Sequence, residues 1–308
     1  MAAVSGVRGG AGVWGWLAGV FLALAVVLVV QWLVGWAEVG RAWLQIPPSA
    51  LAAAMLLMTV SYLLRAARLA RLAGVAGVVA TAWQWVRISV LHTCAVNVLP
   101  MRAGEGALPW MLKRHGDLSL PRGLGLVVAL RLQDLVVMAA LGLVVVVTLW
   151  AGLMAGALAA LPVLLLGRWV VRTWPGWLLR WLDRGPVWVA RLAWPLRLLA
   201  ARPPGVYWLG VAAWTVKWLA MALIIHAATA VAPVRAAIAI AAAEVAAVLP
   251  VQGIAGAGTF EAAVTGALTL TGLDAAQALQ LAVILHLFIL GMSLLLAALV
   301  APLGKRRG

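Results

Sequence analysis

The sequence predicts an all-α integral membrane bundle of about six to eight transmembrane helices, and three observations carry that expectation. Of its 308 residues, 66% are hydrophobic and only 10% charged, with a mean hydropathy of +1.09, which leaves too little polar surface for a water-soluble domain. Apolar runs long enough to cross roughly 30 Å of hydrocarbon, at about 1.5 Å per residue, recur along the whole chain. All are rich in Leu, Ala and Val, and none alternates as a barrel strand would.

Taken in order, residues 1–12 form a short cytoplasmic N-terminus, and 13–302 form a single polytopic membrane domain. Its first run, 13–36, follows one arginine and is too long for a signal-peptide core, so it reads as a retained helix. Runs at 48–65 and 82–99 follow, then 122–150 and 153–170. Residues 168–204 read as a cytoplasmic loop in which seven arginines face Asp183 alone and alternate with Trp169, Trp174, Trp177, Trp181, Trp188 and Trp194. Guanidinium and indole groups together suit a helix lying in the headgroup layer, while a solvated basic linker is the plainer alternative. Runs at 205–230, 235–249, 254–272 and 275–302 complete the domain, and residues 303–308 form a basic cytoplasmic tail.

The formal net charge of +15 does not point to nucleic acid, because the basic residues lie between the apolar runs, where they set orientation against an anionic inner leaflet. The basic segments are Arg65, Arg68 and Arg71; Arg102, Lys113, Arg114 and Arg122; the loop from Arg168; and the tail. If all are cytoplasmic, the run 82–99 begins and ends on one side. A re-entrant hairpin over 82–110 restores parity, and the stretch NVLPMRAGEG supplies its helix breakers. The alternative is that the second basic segment is external. One cysteine, Cys94, excludes an internal disulfide.

A second stretch, VLPVQGIAGAGTFE at 248–261, echoes VLPMRAGE at 98–105. The helices flanking the two echoes run in opposite directions on the charge count, so the expectation is two broken or re-entrant segments in an inverted-repeat arrangement. Secondary transporters use such pairs to place irregular backbone and a binding site near the midplane. The glycines of the second copy, Gly256 and Gly258, would shape its turn.

Only eight acids are present, and no two lie within four residues of each other. That excludes the clustered aspartates with which a prenyltransferase or CDP-alcohol transferase holds Mg²⁺ against pyrophosphate. No histidine pairs at i, i+4 with another histidine or an acid, so no metal and no cofactor is expected. Arg131 and Asp134 share a helix face at i, i+3. Such a pair at membrane depth marks either a pathway or a self-contained packing contact. Glu105 and Glu261 each follow a break and either receive a cationic head group or cap the next helix. Arg102 carries the fork suited to a lipid phosphate, or else anchors topology; Gln252 takes its place in the second copy. Glu244 and His286 are intramembrane polar residues, and Asn97 would hydrogen-bond the backbone freed by Pro100.

The order N-x-L-P-x-R-x-G-E (Asn97 to Glu105), R-x-x-D (Arg131, Asp134) and L-P-x-x-G-x-x-G-x-G-x-x-E (Leu249 to Glu261) resembles the lysylphosphatidylglycerol synthase transmembrane family, also called flippase-like membrane proteins. The resemblance spans about residues 13–302. The chain departs from the family where a Gly-Gly pair is common and Gly253, Ile254, Ala255 and Gly256 stand instead. Family members fuse this region to a cytoplasmic transferase that aminoacylates phosphatidylglycerol, and the membrane part moves the product lipid between leaflets. The resemblance therefore implies a stand-alone flippase-like protein of the bacterial cytoplasmic membrane, and related proteins are linked to hopanoid export or polyprenyl-lipid pathways. It implies no enzyme activity. The partners expected are a membrane lipid and cytoplasmic or membrane enzymes of lipid biosynthesis. Two other readings stand beside it: a scaffold or accessory subunit for a lipid-modifying enzyme, and an intramembrane head-group transferase.

Overall fold

The computed structural model describes residues 10–116, 118–184, 193–201, 203–229, 231–248 and 253–302. Gln252, the tail 303–308 and residues 1–9 of the N-terminus lie outside the described residues. Among these, the elements are α1 (Gly10–Leu33), α2 (Trp36–Leu44), α3 (Pro48–Val75), α4 (Ala82–Val98), a 3-10 segment (Pro100–Gly106), α5 (Ala107–Gly116), α6 (Leu120–Leu182), α7 (Trp194–Ala200), α8 (Val206–Ala228), α9 (Pro233–Val248), a 3-10 turn (Ile254–Gly256), α10 (Thr259–Thr269) and α11 (Ala275–Val300). Among the described residues all regular structure is helical, as expected of a Leu/Ala/Val-rich chain that must satisfy its backbone within each segment.

Two boundaries differ from the apolar runs and one agrees. α3 continues ten residues past the run ending at 65, because arginine is a good helix former and hydropathy alone cannot see that. The cytoplasmic loop expected from residue 168 is helical as far as Leu182, and Pro162 and Pro175 lie inside the helix without ending it. The gap between the runs 122–150 and 153–170 agrees with α6, 63 residues long, which would extend about 95 Å if straight. It is two helices meeting at Gly152, whose φ of 87° lies in the left-handed region that favours glycine. Val137 and Val171 fall in one buried cluster with Tyr207, Val211 and Trp214, and Gly167 sits against Ala140. The chain therefore doubles back at Gly152.

α3, α6, α8 and α11 are long and apolar enough to cross a membrane, and the pair Gly19–Leu33 with Trp36–Leu44, bent by 81°, would be a fifth span. Among the described residues that makes four candidate spans, or five with the bent pair.

The chain forms two compact units: one of residues 1–54, 93–104 and 221–295, the other of 55–92, 105–220 and 296–308. In the second, Trp85 and Ile88 of α4 and Leu108, Met111 and Leu112 of α5 are buried in one cluster with Leu69 and Leu72 of α3 and Leu198 and Leu199 of α7. A Cβ on Gly116 at the end of α5 would lie 2.6 Å from Val78, just ahead of α4. The chain thus leaves and returns at one place. α4 and α5, about 26 and 15 Å long, each fall short of a 30 Å crossing.

α7 is tied to α6 by Trp194, whose Nε1 donates to the Arg122 carbonyl at 3.2 Å, and its ring lies where a Cβ on Gly125 would be, 2.2 Å from Cδ1. Gly125→Ala is expected to cost about 1–3 kcal/mol through overpacking, read as a lower melting temperature in detergent. Gly142→Ala, on the same helix with nothing within 4 Å of the new methyl, is expected to gain about 0.5–1 kcal/mol.

In the other unit, α9 and α10 pack side by side across the turn Ile254–Gly256, again shorter than a crossing at about 24 and 17 Å. Gly19 of α1 lies against both breaks: a Cβ there would stand 3.2 Å from Ile254 and 3.3 Å from Pro100. The two echoing stretches are thus neighbours under one helix.

Candidate functional site

Polar residues that an apolar bundle cannot leave unsatisfied gather in two places, one in each unit. In the unit holding α6, Asp134 is buried and accepts from Arg68 Nη1 of α3 and, at 2.8 Å, from Trp214 Nε1 of α8. Arg68 is 3% exposed and uses the rest of its fork on Gln133 Oε1 (2.8 Å) and the Leu130 carbonyl (2.9 Å). Arg131 reaches 2.5 Å to Glu105 Oε1, while its Nη1 stands 3.6 Å from Asp134 Oδ2. His92 Nε2 of α4 lies 3.5 Å from Glu105 Oε2. Above the Trp214 ring are Arg65, 4.4 Å from the centroid, and Lys217, at 4.8 Å.

Two carboxylates, Glu105 and Asp134, are therefore embedded among Arg65, Arg68, Arg131 and Lys217, an excess of two positive charges before His92 is considered. A buried ion pair survives desolvation only when its remaining donors are also satisfied. Arg68 meets that condition, which makes it the fixed end of the network. The Arg131 side chain is 37% exposed against 3% for Arg68, so Arg131 is the member within reach of a ligand.

In the other unit the breaks are held by side chains. The first turns through Arg102, a non-glycine residue at φ 57°, an uncommon conformation that persists only where surroundings enforce it. Its Nη1 donates to the Ala247 carbonyl near the end of α9. Gly104 folds back so tightly that a Cβ would fall 2.2 Å from the Ala95 carbonyl. Asn97 donates to Ser293 Oγ at 2.7 Å rather than serving only the backbone near Pro100. In the second break Ala255, Gly256 and Gly258 all have positive φ (58°, 81° and 91°). Glu261 caps α10 by accepting from the Gly258 N–H at 2.9 Å, as an N3 glutamate does. Its other oxygen lies 2.5 Å from His286 Nδ1, and His286 Nε2 is 2.8 Å from the Ala255 carbonyl. A carbonyl only accepts, so Nε2 is the donor to Ala255 and Nδ1 faces the Glu261 carboxylate. Phe260 stacks on the imidazole at 4.3 Å.

The twelve candidate residues thus divide. Glu105, Arg131 and Asp134 join the charged network. Asn97, Pro100, Arg102, Gly256, Gly258, Glu261 and His286 belong to the two breaks, with Glu244 buried in α9. Gln252 falls outside the described residues. Arg131 and Asp134 are not a self-contained pair, since each has a nearer partner on another element. Sequence reasoning missed Arg68, Gln133, His92, Trp214 and Lys217. Arg68 had a signal, its three-residue spacing from Arg65 on a continuing helix. Among the described residues no three His, Cys, Asp or Glu side chains converge as a metal ligand set.

Residues 16–297 match the family described as the lysylphosphatidylglycerol synthase TM region. No curated protein and no solved structure gives a significant match to the chain.

Proposed function

We propose, from the premise that this multi-pass membrane protein belongs to the lysylphosphatidylglycerol synthase TM-region family, that it translocates a polar-headed lipid across the bacterial cytoplasmic membrane. The observation that carries the reading is the charge excess of the network around Glu105, Arg131 and Asp134. Ionisable groups inside a bundle mark pathways, and an excess of guanidinium groups selects a lipid with an anionic phosphate over an uncharged hopanoid head. Arg131 would exchange its bond to Glu105 for one to the phosphate, a bidentate and charge-assisted contact, and release the lipid by reversing that exchange. The network binds and lets go without making or breaking covalent bonds, so in this reading the protein is not an enzyme.

The test is a reconstitution. Purified protein in vesicles is expected to speed dithionite-accessible flip-flop of a fluorescent phosphatidylglycerol well beyond that of protein-free vesicles. Arg131→Gln should lower the rate at least tenfold, equivalent to about 1.4 kcal/mol of lost stabilisation, with little change in melting temperature. Wild-type vesicles that accelerate none of a panel of phospholipids, glycolipids and hopanoids would sink the reading.

A further inference from the structure

A second basic site lies in the same unit and shares only Gln133 with the network described above, in a cavity of about 60 Å³ lined by Gln133, Arg168, Arg172, Pro204, Tyr207 and Trp208 among others, none of them acidic. The cavity is several times the roughly 10–15 Å³ that a single water requires, a size compatible with a phosphate group. Arg168 lies over the Trp208 ring, 5.7 Å from its centroid, a cation–π contact that holds the guanidinium at the cavity wall. Arg71 donates to the Pro204 carbonyl at 3.2 Å and adds a third cation at the rim. Tyr207 fixes the far wall through its hydroxyl, which donates to the Leu164 carbonyl at 2.9 Å.

What lies on the same helix face decides what the phosphate is attached to. Leu158, Leu161 and Leu165 precede Arg168 and Arg172 at helical spacing, within an arc of about 80°. These leucines are 72%, 63% and 45% exposed. From Leu158 to Arg168 is about 15 Å at 1.5 Å per residue, the depth of one leaflet's hydrocarbon. We infer that this cavity and stripe form a binding site for a resident anionic phospholipid, with its phosphodiester between Arg168 and Arg172 and an acyl chain along the leucines. This lipid is a bound component rather than the translocated cargo, and the inference does not depend on the transport reading.

Native mass spectrometry of the full chain, released from micelles holding equal phosphatidylglycerol and phosphatidylcholine, tests it. The wild type is expected to retain phosphatidylglycerol about tenfold over phosphatidylcholine, the order expected of two arginines facing an anionic lipid. Arg168→Gln/Arg172→Gln should bring the ratio below about twofold, while Arg180→Gln/Arg184→Gln, the same charge change on the same stretch of chain, should preserve it. Equal retention of both lipids by the wild type would overturn the proposal, whether or not the variants fold. So would a control pair that loses as much preference as the cavity pair. Displacement of phosphatidylglycerol by millimolar inorganic phosphate would assign the cavity to a soluble phosphate and overturn the lipid.

Discussion

Asp134→Leu is expected to cost about 3–5 kcal/mol of stability, because it strands the Arg68 guanidinium in a site only 3% exposed and removes the acceptor of Trp214. In detergent this should appear as a large fall in melting temperature or as failure to purify in a folded state. The informative partner is the double variant Arg68→Met/Asp134→Leu. Replacing both charges by apolar groups of similar volume removes the desolvation cost together with the attraction, so stability should return to near the wild-type value or above it. Lipid translocation should not return with it if the network holds the head group. A double variant that is stable and fully active would reduce Arg68 and Asp134 to a packing device and leave Arg131 and Glu105 to carry the transport reading.

His286→Ala is expected to release the second break. It removes the partner of Glu261, the donor to the Ala255 carbonyl and the stack on Phe260. Hydrogen bonds involving charged groups are worth about 1.5–3 kcal/mol each, so a total loss of about 2–4 kcal/mol is reasonable. Because the lost contacts converge on a turn with three positive-φ residues, Ala255, Gly256 and Gly258, the effect should be local. Amide hydrogen exchange over 253–262 should rise at least tenfold, while α8 keeps its protection. Ala255→Gly, which removes a side chain from a left-handed conformation, should be neutral or stabilising. Equal loss of protection across the whole unit after His286→Ala would show that the histidine supports the unit and not the break.

Much of this architecture was legible in the residues. The broken segments could be read because prolines and glycines act locally: Pro100 cannot continue a helix, and Gly104 has room for no side chain against Ala95. Charge parity pointed to a turn between 82 and 110, since the positive-inside rule depends only on which loops carry Lys and Arg. The short helices α2, α5 and α7 escaped, because elements of seven to ten residues leave too few turns for a periodic signal to stand out in an Ala/Leu/Val background. The second half of α6 was cut short at residue 168 for a related reason. Arginine and tryptophan end a hydropathy run without ending a helix.

The sequence by itself determined the solvent the protein folds in, the helical class, the two breaks and the candidate charges, because hydropathy, backbone stereochemistry and residue spacing are properties of neighbours along the chain. Tertiary structure alone decided which charges meet. Arg131 and Asp134, three residues apart, are drawn to Glu105 and Arg68, 26 and 66 residues away. Glu261 finds His286 from 25 residues off. A charge in a low-dielectric bundle is stabilised by the partner that folding places against it and satisfies completely, and nothing in local spacing names that partner.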